Sequence, residues 1–194
     1  MPRPGRYFEI IGDIYVDGRW YLVNPTDRNG AEISAVLNQR APAKVAAPVR
    51  LLHSDAAPRG HPLDYTRISG DCVPVINVRV AEILKRLAPG NLELIPAEVD
   101  GFPEPYFVLN VLAERRCIDE EASAEVEKFT EEDREVFPDQ VGEYRQVYGL
   151  KIDKSKVQGA KMFWTWGWVA LIVDEEIKNA FEAARVTGVK FVEV

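Results

Sequence analysis

Apolar residues recur along this chain at two spacings, and each spacing predicts a different kind of element. Tyr7 to Ile11 is a short apolar run that reads as a strand. In IYVDGRWYLV two apolar arms flank Asp17-Gly18, a dipeptide that accepts positive φ angles, so a β-hairpin is expected there. Regular spacing then fails: NPTDRNG, APAKVAAP and HSDAAPRGHP predict loops over residues 24–64, with one strand near Val45 to Leu52. Cys72 to Ile76 is apolar again. It leads to Asn77, an N-cap candidate, and to a helical stripe at Val80, Ile83, Leu84 and Leu87 that Pro89-Gly90 ends. LELIPAEV and YFVLNVL predict strands on either side of the turn-prone DGFPEP.

The C-terminal half repeats these signals. ASAEVEKFTEEDREVF places apolar side chains at Ala122, Val126 and Phe129, which predicts a partly helical, mostly solvated segment. RQVYGLKI and KMFWTW predict strands joined near Asp153 to Gly159, and VALIV follows them. Asp174 is the cap of a last helix. Glu175 and Glu176 favour its positive end, Ile177, Ala180, Phe181 and Ala184 form its buried stripe, and Gly188 is expected to end it in a left-handed conformation. VKFVEV closes the chain as an alternating strand. The pattern predicts an α+β fold: a largely antiparallel sheet with two well-marked helices and an N-terminal β-hairpin. Residues 1–70 read as a hairpin and loop-rich lobe of the same unit, and residues 71–194 as an α+β domain.

Trp164, Trp166 and Trp168 alternate within MFWTWGWVALIV, so on one strand they would share a face. A platform for a sugar ring needs exposed indoles beside polar groups. The neighbours here are Met162, Phe163 and Val169 to Val173, and burial against Ile177 and Phe181 would stabilise the fold by roughly 2 kcal/mol or more per ring. Core is the expected role, with a ligand surface as the alternative. Gly167 is expected to turn the strand, so that Trp168 faces differently from the other two.

A chain of 194 residues suits one large domain, and it can bury a core without staples. Its two cysteines, Cys72 and Cys117, form no CxxC pair, which argues against a disulfide framework and a structural zinc site. The start lacks the apolar core of a signal peptide, and Trp168 to Val173 is far too short to span a bilayer, so a cytoplasmic protein is expected.

Charge changes the picture more. Residues 1–90 hold 12 basic and 9 acidic side chains, whereas residues 91–194 hold 12 basic and 22 acidic. Glu114 to Glu143 alone has 12 acidic and 4 basic residues, a net of −8. Such a segment repels nucleic-acid phosphates and attracts a basic partner, if it is more than a solvated face.

Catalytic signals are weak. His53, Asp55 and His61 sit in a Pro-rich loop and are metal-ligand types, but their spacing matches no metal motif. Cys72 beside a histidine would make a nucleophile, yet its apolar surroundings favour an inert thiol. Acidic residues are so abundant that no carboxylate pair stands out, and no GxSxG or GxxxxGK[ST] occurs. No catalytic residue, cofactor or metal is expected.

From Val73 onward the order of pieces carries a resemblance. VPVINVRVAEILKRL is followed by LIPAEV, by YFVLNVLAERRCIDEEAS, by MFWTW and by LIVDEEIKNAFEAARVTGVKFVEV. This order resembles the myxobacterial-type immunity proteins of bacterial polymorphic toxin systems, over roughly residues 70–194. Its most telling residues are Asn110 in VLNVL, Asp119 and Ser123 in CIDEEAS, and the ending TGVKF with Gly188. The chain departs from that pattern at Trp164-Thr165-Trp166, where a Phe-Arg-Leu type triplet is expected. The resemblance implies a non-enzymatic protein that binds and neutralises a cognate protein toxin, with no nucleic-acid or membrane partner. If that toxin is basic, Asp119, Glu120, Glu121, Glu125, Glu131, Glu132 and Asp133 are the expected contact residues. Two rivals stand beside it: a glycan-binding module using the tryptophans, and an enzyme using His53, Asp55 or His61.

Overall fold

The computed structural model describes residues 5–37, 40–54, 60–69 and 72–194. In chain order the elements are β1 (Tyr7–Gly12), β2 (Leu22–Thr26), α1 (Ser34–Leu37), β3 (Val49–His53), β4 (Tyr65–Arg67), β5 (Pro74–Asn77), α2 (Val78–Leu87), β6 (Leu92–Val99) and β7 (Phe102–Val111). The second half adds β8 (Glu114–Arg115), β9 (Glu125–Lys128), β10 (Tyr144–Tyr148), β11 (Met162–Thr165), β12 (Leu171–Asp174), α3 (Glu175–Ala183) and β13 (Val189–Glu193). They form a six-stranded sheet in the order β2-β3-β6-β7-β5-β4, a five-stranded sheet in the order β13-β1-β12-β11-β8, and the separate hairpin β9-β10. Most pairs are antiparallel; β3 with β6 and β8 with β11 are parallel. The class is α+β, as the alternation predicts.

Strand periodicity distributes side chains between three cores. Phe8 and Ile10 of β1, Ile76 of β5, Leu109 of β7, Trp164 of β11 and Val173 of β12 meet Val80 and Leu84 of α2 and Ile177 and Phe181 of α3. Their neighbours point the other way, as a period of two requires. Val75 and Val108 enter a second core with Trp20, Leu22, Val49 and Leu51, which Ile33 and Leu37 also join. Phe163 and Ile172 enter a third core with Cys117, Ile118, Val147 and Ile152. Burial there raises the Cys117 thiol pKa to about 11, so this cysteine is a packing residue and no nucleophile.

Both caps form as the sequence predicts. Asn77 accepts from the Val80 amide at 3.1 Å, and Asp174 accepts from the Ile177 amide at 2.9 Å. Three local expectations are corrected. Asp17-Gly18 does turn, with Gly18 at φ 63°, but its arms do not pair. β1 lies between β12 and β13 in one sheet, whereas β2 pairs with β3 in the other. Trp20 and Leu22 belong to the second core, and buried Arg19 donates to the Asp13 carbonyl at 2.7 Å and to Thr66 Oγ1 at 3.1 Å, so long-range burial outweighs the local turn signal. The acidic segment forms β9 and a single 3₁₀ turn instead of a helix, because Val126 between two glutamates has strand periodicity and pairs with Val147 against the third core. Finally, the left-handed residue just after α3 is Arg185, at φ 51°, with Gly188 three residues further on.

Gly188 has a different task. It is buried at φ 84°, and a Cβ built on it would lie 2.1 Å from the Tyr65 carbonyl oxygen and 2.9 Å from Leu63 Cδ1. No other residue type fits that approach. Beside it, Tyr65 N–H donates to the Thr187 carbonyl at 3.1 Å, and Asp64 accepts from Thr187 N (2.8 Å), Thr187 Oγ1 (2.9 Å) and Asn77 Nδ2 (2.6 Å) as well as pairing with Arg79. This knot ties the edge of the six-stranded sheet, the start of α2 and the entry to β13 together. Strands from both sides of residue 70 thus share both sheets.

Candidate partner-binding surface

The acidic stretch is an ordered excursion from the five-stranded sheet. It begins at a turn made by two of the family-type residues. Asp119 Oδ1 accepts from Ala122 N at 3.0 Å, and its carbonyl accepts from Ser123 Oγ at 2.7 Å. Ser123 Oγ in turn accepts from Lys151 N at 3.0 Å, which anchors the turn across the excursion. Asn110 is buried on β7, where its Nδ2 donates to the Ala41 carbonyl (2.8 Å) and to Glu93 (3.0 Å). Asn110, Asp119, Ser123 and Gly188 therefore hold loops in place; none presents a reactive group.

The excursion ends in a compact loop over residues 129–143. Two backbone bonds close its neck, Phe129 N–H to the Glu143 carbonyl (3.0 Å) and Gly142 N–H to the Phe129 carbonyl (2.9 Å). Inside, Thr130 and Asp133 form a reciprocal cap on the 3₁₀ turn Glu131–Asp133, Asp133 pairs with Arg145, and the rings of Phe129 and Phe137 sit 5.1 Å apart. Six carboxylates and one arginine decorate this loop. Fixed geometry of this kind lowers the entropy lost on docking.

The expected contact residues divide into two groups. Glu120 pairs with Lys128 at 2.6 Å and accepts from the Tyr144 hydroxyl at 2.9 Å, and both contacts hold its carboxyl below its ordinary pKa. Glu131 is paired with Arg134 at 2.6 Å. The amide of Thr130, followed by Arg145, holds Asp133 low. These carboxylates serve the arm's own shape. Glu121, Glu125 and Glu132 are exposed and make no side-chain hydrogen bond or ion pair among the described residues, so their charge faces outward.

The three indoles do not form one surface. β11 ends at Thr165, and Gly167, at φ 69°, turns the chain. Trp164 is 2% exposed in the first core, with Arg40 stacked 4.0 Å from its ring centre. Trp166 is half-buried beneath Arg116, 3.6 Å away, and Trp168 packs against the third core on the opposite side of the sheet from Trp164. What the turn does make is a contact with the acidic arm. Tyr144 N–H donates to the Gly167 carbonyl at 3.0 Å, and a Cβ on Gly167 would meet the Tyr144 ring at 3.3 Å. Between arm and turn lies an open cleft of about 530 Å³, walled by Phe129, Tyr144 and Trp168. Burial and the bond to Glu120 push the Tyr144 hydroxyl pKa up to about 12, so it stays protonated.

The histidine candidates for metal chemistry lie elsewhere and do not line this cleft. His53, on β3, has Nε2 3.1 Å from the Asp100 carbonyl oxygen and its ring against Trp20 and Phe102. His61 makes a bridge with Arg19 through its backbone. Asp55 lies outside the described residues, among which no group of three or more His, Cys, Asp or Glu side chains is placed to hold a metal ion. Cys72 is half-buried in the wall of the cleft.

The cleft itself was not legible in the sequence. Arg40, Cys72, Glu114, Phe129 with Tyr144, and Trp168 come from five separated stretches, and no local pattern brings them together. The charge excess of residues 114–143 and the tryptophan run marked the neighbourhood, but nothing in the sequence joined them.

The distinctive residues of this scaffold fix loops, and its most charged element is a loop held by its own hydrogen bonds. The sequence model of the immunity protein family (Imm11) matches residues 4–194, and the chain belongs to that family. The match extends the resemblance seen from residue 70 onward to nearly the whole chain, including β1, β2 and β3. No curated protein matches the chain. Among the described residues, no helix is long and apolar enough to cross a membrane.

Proposed function

We propose that this chain is an immunity protein that neutralises a cognate protein toxin by binding it in the cytoplasm, without transforming a substrate. The family match across residues 4–194 carries the reading. The acidic arm supports it: outward-facing Glu121, Glu125 and Glu132, on a net −8 segment, give a basic toxin a long-range attraction and a pre-shaped surface. Asp119, Glu120, Glu131 and Asp133 hold that surface in shape. Co-expression with the toxin encoded beside the immunity gene tests the reading. Growth restored by the wild-type chain supports it; unrelieved killing at equal expression contradicts it.

A further inference from the structure

The arm and the tryptophan turn together make a feature that neither the family match nor the charge count identifies. The cleft between them has aromatic walls, Phe129, Tyr144 and Trp168, and its lip includes Val169, which is 49% exposed. Its charged lining residues are Glu114, Glu143 and Arg40. The Arg40 guanidinium is stacked on Trp164, and Glu114 opposes only part of the cost of its burial. Glu143, half-buried among the lining residues, makes no side-chain hydrogen bond or ion pair among the described residues, so its charge at the cleft is uncompensated. The loop that forms one wall adds five more carboxylates against one arginine.

Lys128 and Arg145 already lie 5.1 Å and 4.8 Å from the Tyr144 and Phe129 ring centres, which leaves Trp168 as the wall without a cation of its own among the described residues. An aromatic face beside an uncompensated carboxylate is the chemistry that receives a lysine or arginine side chain. The aliphatic stem packs on the rings and the cation meets the carboxylate. A concave, apolar-walled centre inside a charged rim is also the usual site of concentrated binding energy at a protein interface. We infer that this cleft is the docking slot for a basic segment of the toxin, inserted between residues 129–143 and the turn at Trp166 to Val169. The inference rests on the toxin-binding reading and adds the site and the partner's chemistry to it.

Cys72 reports on the slot directly, because it lines the cleft while Cys117 is fully buried. The wild-type chain is treated with iodoacetamide, alone and saturated with the toxin encoded beside it, and alkylation of each cysteine is followed by mass spectrometry. The expected result is at least tenfold slower modification of Cys72 in the complex, with Cys117 unmodified throughout. A complex in which Cys72 reacts at its free rate overturns the slot and leaves toxin binding intact. If no complex forms, the reading beneath it falls as well. Protection that appears in the chain alone as its concentration rises assigns the slot to a second copy, which also overturns the proposal. A second variant, Val169→Arg, places charge and bulk at an exposed lip position that the fold does not need. It is expected to raise the toxin Kd at least tenfold, and unchanged affinity counts against the slot.

Discussion

Replacing Asp64 with alanine removes a junction on which both sheets depend. The carboxylate accepts from both donors of Thr187 and from Asn77, and it pairs with Arg79, while its side chain is only 13% exposed. Hydrogen bonds to a charged group contribute about 1.5–3 kcal/mol each, but neighbours in one network do not add, so the loss is set at about 3 kcal/mol. With a urea m-value of about 2 kcal/mol per M, the unfolding midpoint falls by about 1.5 M. The pH dependence gives an independent check. Burial pushes the Asp64 carboxyl up, but the Thr187 donors and Arg79 outweigh it and hold the folded-state pKa below the ordinary value. A depressed carboxylate contributes its stability above the unfolded pKa of about 3.9 and loses it as pH falls through the lower folded value. The gap between wild type and Asp64→Ala should therefore be full at neutral pH and narrow below about pH 4. Urea titrations at pH 7 and in the acid range measure it. A loss under about 1 kcal/mol at pH 7, or a gap that stays constant into acid, would refute this account of the junction.

Other expectations follow from the same geometry. Gly188→Ala should cost about 2 kcal/mol or more, from the left-handed backbone and the approach to the Tyr65 carbonyl, and thermal unfolding of the variant measures it. Trp164→Ala should cost about 3–5 kcal/mol, because it empties a site lined by both helices; a loss near zero would mean that the indole is not core. Reversing both Glu131 and Glu132 to lysine should slow toxin association about tenfold at low salt and much less at 0.5 M salt, and stopped-flow mixing reads the difference. An association rate that ignores the reversal removes the electrostatic part of the proposal.

Sequence periodicity located both long helices, their caps and the strands from β5 onward except β8 and β9, because there the local and long-range preferences agree. It failed where they compete. Asp17-Gly18 signals a hairpin, but burial of Trp20 and Leu22 in the second core draws one arm into the other sheet. The glutamates of EVEK favour a solvated helix by composition, whereas the apolar Val126 between them fits a strand facing Val147. Gly188 was expected to end α3, but what requires glycine there is the Tyr65 carbonyl 123 residues earlier in sequence, which no local window contains. The cleft was hidden for the same reason: its walls come from stretches that only the folded chain brings together.

If the protein acts by occupying its toxin, as proposed, the stoichiometry of inhibition reveals it most directly. Toxin activity is measured as the purified chain is added in increments well above the Kd. The account predicts a straight decline that reaches zero near one equivalent, with full activity recovered when the complex is dissociated and the toxin refolded. Complete inactivation by a small fraction of an equivalent would contradict it, because that requires turnover, and toxin that stays inactive after separation would contradict it, because that requires a lasting chemical change in the toxin.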